Sequence, residues 1–216
     1  MPFPDIHSLY ATMFRRRDTR AEFTGEPISP EALHRVLTAA HAAPSVGLSQ
    51  PWEFVLVSDV PTRQRFREHV LAERAVFAAE LGEQRAGTFA RIKVEGILES
   101  SLGVVVGYDP QRGAPAVLGR HAIADAGLYS VCLAIQNLWL AATAEGLGVG
   151  WVSFYREDYL RDLVGFPAGV RPVAWLCVGP VRELPTVPDL ERHNWRSRIP
   201  LDSVVHHDRY RADGGA

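Results

Sequence analysis

The amino-acid sequence predicts an α+β fold, built as one domain over residues 1–216. Helical and strand patterns are mixed along the chain, without the regular strand–helix alternation of doubly wound parallel folds. A length of 216 residues is sufficient for one sizeable hydrophobic core. The long helix predicted at 123–145 is apolar almost all round, so it requires protein on most sides, in the core or at a subunit interface.

The first half of the chain contains two predicted helices. Ser29 is a suitable N-cap, since proline and then an acidic residue follow it, and apolar residues recur at helical spacing until Pro44 ends the helix. A charged amphipathic region runs from about 61 to 81. The polar segment 82–96 is expected to move and is the candidate lid over a site. Short apolar runs predict four strands, at 53–58, 102–108, 151–155 and 173–178.

Two features of the second half bear on function. The glycines of the segment 146–150 follow the long helix instead of opening a helix after a strand, so they predict a helix C-cap and a turn and not a dinucleotide fingerprint. From 184 onward the chain is rich in proline, arginine and histidine without a core pattern. We therefore expect 184–216 to form an extended C-terminal arm that lies on another surface.

Composition argues against several classes of function. The net charge of −2 provides no strong positive charge for non-specific nucleic-acid binding, and the apolar stretches are interrupted short of a membrane span. The segment 1–5 lacks the features of a secretory signal. Cys132 and Cys177 are expected to be buried, reduced thiols of a cytoplasmic protein, and no cysteine or histidine cluster has metal-ligand spacing.

Two motifs point to a cofactor site. Four arginines surround Asp18 in the segment 15–20, and arginine donates several hydrogen bonds at fixed geometry to phosphate or to an electron-rich ring. Downstream, small residues at 43–49 allow a flat ligand near the backbone, and the Gln50 amide both donates and accepts hydrogen bonds. The arginines alone could equally form a solvated helix C-terminus. Together the motifs favour a site for a phosphorylated, planar cofactor.

These motifs resemble the FMN-binding nitroreductase superfamily. The resemblance extends from about 9 to 205 and is carried by Arg-Arg-x-x-Arg at 16–20, Ala-Pro-Ser at 43–45 and Gln-Pro-Trp-x-Phe at 50–54. Asp18 and its neighbours resemble the 5,6-dimethylbenzimidazole synthase branch, because most other relatives have a small polar residue such as serine there. The resemblance implies a central, mostly antiparallel sheet flanked by helices. It also implies an intertwined homodimer with FMN at the subunit interface.

The resemblance further implies the residues that contact FMN. Three arginines of the first motif would contact the phosphate, ribityl and pyrimidine portions, and the serine and glutamine of the second motif would form the opposite wall. A lysine near the isoalloxazine and late arginines near the phosphate would complete the site, although exposed surface positions are the alternative for the late arginines. The implied set is Arg16, Arg17, Asp18, Arg20, Ser45, Gln50, Lys93, Trp151, Arg196 and Arg198.

Two of the residues are implied to be catalytic. Asp18 would remove a proton from the ribityl carbon that is attached to the ring, and Ser153 would hydrogen-bond the flavin or oxygen. A carboxylate among arginines should have a lowered pKa, and Asp18 could also serve only as a salt-bridge partner. Ser153 could be an ordinary strand residue, and no acid–histidine pair beside it supports a hydrolase triad.

The implied activity is an oxygen-dependent fragmentation of reduced FMN. Reduced FMN is the substrate, dioxygen the co-substrate, and the products are erythrose 4-phosphate and 5,6-dimethylbenzimidazole, the lower ligand of vitamin B12. Two alternatives remain open: an NAD(P)H-dependent FMN nitroreductase or quinone reductase, and a non-catalytic FMN-binding protein. No convincing pyridine-nucleotide site is visible, so a separate flavin reductase is expected to supply the reduced flavin.

Overall fold

A computed structural model describes residues 9–210 of the chain. Its centre is a single four-stranded sheet in the order β1-β2-β4-β3, and every neighbouring pair of strands is antiparallel. The α+β prediction with an antiparallel sheet is therefore confirmed. The strands are β1 (Trp52–Val57), β2 (Leu102–Tyr108), β3 (Leu147–Val152) and β4 (Arg171–Pro180).

Seven α-helices in the described part of the chain flank the sheet. The predicted cap is present at the second of them, where the Ser29 hydroxyl accepts a hydrogen bond from the Ala32 backbone N–H at 3.1 Å. The helices are α1 (Leu9–Arg15), α2 (Pro30–His41), α3 (Val60–Ala79), α4 (Glu83–Ala90), α5 (Ala126–Ala144), α6 (Glu157–Val164) and α7 (Asp189–Arg192).

The sheet separates two hydrophobic clusters, as alternation along β2 requires. Val104 and Val106 pack on one face with α2 and α5, whereas Val105 between them packs on the other face with α3 and α6. On this second face Phe66 stacks on Trp175 with ring centroids 4.0 Å apart. Burial on both faces explains why β2 reads as an uninterrupted apolar run in the sequence.

Helix α5 is the predicted long apolar helix, although it begins at Ala126 and not at residue 123. Among the described helices it is the one long and apolar enough to cross a bilayer by length and composition. Half of that stretch is buried by the rest of the chain, and the helix packs against α2, β2 and β3. These contacts make α5 the core helix of the fold.

The prediction for the glycines after α5 was only partly right. Gly146 has a φ of +77° and ends the helix as predicted, but Gly148 and Gly150 lie inside β3, which was placed at 151–155 from the sequence. Pairing with β4 holds these glycines in extended conformation. Their missing side chains have a second role, which is described with the site.

The predicted lid segment is mostly part of the fold. Its first half forms α4, and its second half is buried, including Ile92, Val94 and Glu95. The Glu95 carboxylate accepts hydrogen bonds from the Ile97 backbone N–H at 2.8 Å and from Arg67 at 3.1 Å. A moving lid is therefore restricted to α4 and its connection to α3, where it stays a prediction.

Three further expectations concern the ends of the chain and its thiols. The division into one domain with an arm from 184 stays a prediction; within the described part, Trp195 of that segment packs on the second cluster. Residues 211–216 of the arm and the segment 1–5 lie outside the described residues. Cys177 is buried as expected, but Cys132 is exposed on α5 of the single chain, and both are free thiols.

Candidate functional site

The arginine-rich segment that follows α1 crosses β3, the strand at one edge of the sheet. The Thr19 backbone N–H donates to the Val149 carbonyl at 3.0 Å, and Asp18 forms a parallel bridge with Val149. A Cβ atom at Gly150 would lie 2.1 Å from the Thr19 carbonyl oxygen, and one at Gly148 would lie 2.9 Å from the Thr19 side chain. The glycines of β3 therefore allow the segment to lie directly on the strand.

This crossing fixes the carboxylate of Asp18. Its Oδ1 accepts a hydrogen bond from the Trp151 backbone N–H at 3.0 Å, and its Oδ2 pairs with the Arg20 guanidinium at 2.5 Å. About a third of the side-chain surface (34%) is exposed, on the wall of a pocket. The predicted ion pair between Asp18 and an arginine neighbour is thus present, and the carboxylate also has a backbone donor and access to a cavity.

The electrostatic prediction for Asp18 was wrong in its sign. Burial raises the pKa of the Asp18 carboxyl above its ordinary value, although Arg20, the Trp151 N–H and Arg16 each act to lower it. The sequence shows the positive neighbours but not the burial, and burial dominates. A carboxylate whose pKa is raised accepts a proton more readily than an ordinary aspartate.

Besides Arg20, which pairs with Asp18, the other three arginines of the motif have three different environments. Arg15 donates to the Thr143 carbonyl at 3.2 Å, and Arg16 lies over the Trp139 ring at 4.8 Å. Arg17 donates to the carbonyls of Phe14 at 2.7 Å, of Arg16 at 2.8 Å, and of Thr186. Its Nε is buried and has no hydrogen-bond partner among the described residues.

Arg198 joins this group from the C-terminal segment. Burial lowers the pKa of Arg16 and of Arg17, and repulsion from Arg198 lowers both further. Asp18 acts in the opposite direction on Arg16, so it offsets part of the positive charge, but Arg17 and Arg198 add to it, which is the electrostatic pattern of an anion site. The structure thus brings Arg198 to the first motif. Arg196 is exposed, and among residues 9–210 only its backbone N–H forms a hydrogen bond, to the Leu190 carbonyl.

A cavity of about 170 Å³, the cationic pocket, lies beside Asp18. Predicted residues in its wall are Arg17, Asp18, Arg20 and Lys93, and the Lys93 ammonium is paired with Glu99. The remainder of the wall was missed: Ala21 and Glu22 directly follow the motif, and the other residues come from the end of α4 and from the C-terminal segment that contains α7. These missed residues include Arg91, Asp189, Arg192 and His193.

A second cavity, the aromatic pocket, shares Arg20 with the first and contains Ser153. Ser153 follows β3 directly and is exposed, and its hydroxyl has no hydrogen-bond partner among residues 9–210. Most of the wall is aromatic or aliphatic, and no local sequence pattern predicts this grouping. Asp18 and Ser153 thus lie on the walls of adjoining cavities, although they are far apart in sequence.

Ser45 and Gln50 form a separate unit in the single chain. The Ser45 hydroxyl accepts from the Gln50 backbone N–H at 3.0 Å, and the Gln50 side chain donates to the His41 carbonyl at 3.3 Å. Neither residue lines the two pockets described above. Residues 9–210 also contain no group of three or more histidine, cysteine or acidic side chains arranged to hold a metal ion.

Comparison with protein families identifies the family of the chain. The model of the nitroreductase family matches residues 13–180, a stretch that includes the arginine motif, both glycines of β3 and the whole sheet. The chain belongs to the nitroreductase family. The match ends with β4, so the family assignment does not depend on the C-terminal segment.

Two curated members of the family are similar over most of their length. A 5,6-dimethylbenzimidazole synthase of Rhodospirillum rubrum is 41% identical over 185 residues, which cover 86% of this chain and 87% of that protein. A synthase of the same name from Rhodobacter capsulatus is 32% identical over 204 residues, covering 94% and 98%. At these levels the similarity extends well beyond the short motifs.

The fold is also found in solved structures of the family. An oxidized iodotyrosine deiodinase bound to FMN and 3-iodo-L-tyrosine superposes with a TM-score of 0.73 at 22% identity, over 94% of this chain and all of that one. An NADPH:FMN oxidoreductase from Vibrio harveyi in complex with NAD+ has a TM-score of 0.69 at 21% identity, over 94% and 78%. Both comparisons establish the nitroreductase-like fold of this enzyme.

Proposed function

We propose that this enzyme is a 5,6-dimethylbenzimidazole synthase, which uses reduced FMN as substrate and dioxygen as co-substrate. The products are 5,6-dimethylbenzimidazole and erythrose 4-phosphate. Similarity at 41% identity to a synthase of that name supports the reaction. The single observation in the structure that carries the proposal is the Asp18 carboxylate, which is held by a backbone N–H on the wall of a cationic pocket.

The residues near Asp18 fit an FMN phosphate. Arg16, Arg17 and Arg198 have an excess of positive charge, and the buried Nε of Arg17 is a donor without a partner. A phosphate oxygen would supply the missing acceptor and balance the charge. Arg17 would act mainly as a support, because its other nitrogens already donate to carbonyls, so Arg16 and Arg198 are the principal phosphate ligands in this proposal.

When bound, the reduced flavin supplies the reactivity toward dioxygen. Asp18 removes the proton from the ribityl carbon attached to the ring, and its raised pKa favours this role. The Trp151 N–H and Arg20 hold the two carboxylate oxygens at fixed positions, so the base needs no rearrangement before it acts. Ser153, whose hydroxyl is available, would orient the ring side of the substrate by hydrogen bonding.

We also propose that the enzyme is a homodimer. Apolar side chains are exposed on α1, on α5 and in the C-terminal segment, including Tyr10, Leu133 and Leu201, at 63%, 46% and 72% exposure. A second copy would cover them and could bring Ser45 and Gln50 to the partner's pocket. Light scattering coupled to gel filtration would then give twice the 23.9 kDa mass of the chain, and a monomer would contradict this part of the proposal.

The experiment for the reaction mixes the purified protein with chemically reduced FMN, admits air, and separates the products by chromatography. We expect 5,6-dimethylbenzimidazole in an amount that depends on the protein. Recovery of intact oxidised FMN alone, together with steady oxidation of NADPH in the presence of a quinone or nitroaromatic acceptor, would instead support a nitroreductase. Intact flavin without reduction of any acceptor would support a non-catalytic FMN-binding protein.

Two further parts of the proposal concern the cell. The reduced FMN comes from a separate flavin reductase, which need not form a complex with this enzyme. The enzyme works in the cytoplasm, where its two free thiols remain reduced. The product assay tests the source of reduced FMN. If oxidised FMN gives product only when a flavin reductase and NADH are added, and chemically reduced FMN removes this requirement, a separate reductase is supported.

A further inference from the structure

A further cavity, the α3 pocket, lies between helix α3 and the chain segment that follows α4. Its volume is about 280 Å³, against about 170 Å³ for the cationic pocket. Leu71 and Val94 supply apolar surface, and the polar part of the wall is mostly cationic. The charged side chains of the wall are Arg67, Arg74, Arg91, Lys93 and Glu95.

Cations come to this pocket from both of its sides. On α3, Arg67, Leu71 and Arg74 follow one another at steps of four and three positions, so they share one face of the helix. On the other side, Arg91 and Lys93 come from the segment after α4. These two residues also line the cationic pocket, so the segment after α4 is a wall common to both cavities.

Arg74 holds the two sides of the α3 pocket together. Its Nη2 donates to carbonyls at the end of α4, at 3.2 Å to Phe89 and to Ile92 and at 3.4 Å to Ala90. The guanidinium also lies over the Phe89 ring at 5.0 Å, whereas its Nε is buried and has no hydrogen-bond partner among residues 9–210. Neutral groups therefore hold this positive charge in place and leave one of its donors unused.

The charges of the wall do not balance. Glu95 pairs with Arg67 at 3.1 Å, and a second carboxylate pairs with Lys93. Arg74 and Arg91 have no carboxylate partner within residues 9–210, and the Arg91 guanidinium has no hydrogen-bond partner there either. Four cations are thus offset by two carboxylates, which leaves a charge of +2 at the pocket.

We infer that the α3 pocket binds a phosphate dianion, either as the free ion or as the ester of a small molecule. A phosphate monoester has a charge of about −2 near neutral pH, which matches the unbalanced charge of the wall. Guanidinium groups donate paired hydrogen bonds to phosphate oxygens. An apolar cavity of roughly 150 Å³ holds benzene, so the volume of 280 Å³ accommodates a phosphate with several atoms attached.

The test is a calorimetric titration of the FMN-loaded protein with inorganic phosphate, in a phosphate-free buffer of low ionic strength. Loading with FMN occupies the proposed phosphate ligands of the arginine motif before the titration begins. Leu71→Glu places a carboxylate among the cations from a position that is 36% exposed. We expect phosphate binding to weaken by about tenfold, because the new charge offsets the cations and repels the dianion.

Two controls isolate the effect of charge inside the pocket. Leu71→Gln has nearly the shape of Leu71→Glu without its charge, and it should bind phosphate as the wild type does. Val76→Glu adds the same charge to α3 at a position that is 51% exposed and does not line the pocket. Because solvent and salt screen a charge at that position, this variant should also bind phosphate normally.

A second titrant, glycerol 3-phosphate, distinguishes the two forms of the ligand. Tighter binding of glycerol 3-phosphate than of inorganic phosphate identifies an ester site, and the reverse order identifies a site for the free ion. No saturable binding of either titrant, or equal binding by wild type and Leu71→Glu, would overturn the inference. If Leu71→Glu does not fold, Arg91→Gln removes one unbalanced charge from an exposed position and should weaken binding several-fold.

Arg16→Ala separates this site from the proposed FMN site. Titrated without FMN, this variant should still bind phosphate in the α3 pocket, and loss of binding would place the ion at the arginine motif and contradict the inference. The inference does not depend on the proposed function, since the titration involves no turnover. A protein that binds phosphate but forms no product loses the synthase assignment alone, and one that forms product but binds no phosphate loses the α3 site alone.

Discussion

The contact between the arginine-rich segment and β3 can be tested by one added methyl group. Gly150→Ala would place a Cβ atom 2.1 Å from the Thr19 carbonyl oxygen, far below the 3.0 Å under which real Cβ contacts essentially never fall. Because the obstacle is backbone, the segment has to move away from the strand. That movement breaks the Thr19–Val149 hydrogen bond and the Trp151–Asp18 hydrogen bond.

The expected loss of stability is about 2–5 kcal/mol, from overpacking together with two hydrogen bonds. Urea unfolding measures this loss, and the product assay should show a larger fractional loss of activity in the protein that remains folded, since Asp18 has moved. Gly169→Ala is the control, because nothing lies within 4 Å of its added Cβ atom. A Gly150→Ala protein with wild-type stability and full product yield would refute the described crossing.

Three further predictions concern charges and thiols. Burial raises the pKa of Asp18 above the ordinary aspartate pKa of about 3.9. As the pH is lowered at constant FMN occupancy, product yield should therefore begin to fall while the pH is still above this ordinary value. A fall that occurs only below that pH would contradict the raised pKa. Arg16→Ala should weaken FMN binding with little change in unfolding, whereas Arg17→Ala should lower stability by about 1–3 kcal/mol, because its carbonyl partners lose their donor. Burial raises the pKa of Cys177 to about 12, so a thiol reagent should modify it only after denaturation, and modification in the native protein would contradict its burial.

Local patterns in the sequence were sufficient for much of the fold. The Ser29 cap identifies the start of α2, and the apolar run at Leu102–Tyr108 coincides with β2. Both patterns consist of residues that are neighbours in the sequence, so they can be recognised without knowledge of tertiary contacts. Resemblance to the family added the antiparallel sheet, which composition and periodicity could not specify.

The features that the sequence did not reveal depend on contacts between distant segments. Glycines such as Gly148 and Gly150 are typical of a turn. They are strand residues here because β3 pairs with β4 and because Thr19 approaches the strand closely at these positions. Asp18 and the Trp151 N–H that fixes it are 133 positions apart. The burial that decides the pKa of Asp18 arises from the same crossing, so counting nearby arginines gave the opposite sign.

The assignment of Asp18 as the base is the central claim, and Asp18→Asn tests it most directly. FMN affinity and 5,6-dimethylbenzimidazole yield should be measured on the same preparation, with Asp162→Asn as a control that removes an exposed carboxylate outside both pockets. We expect Asp18→Asn to bind FMN and to form no product, while Asp162→Asn retains activity. Full synthase activity of Asp18→Asn would contradict the proton-transfer role and leave Asp18 as the partner of Arg20 alone.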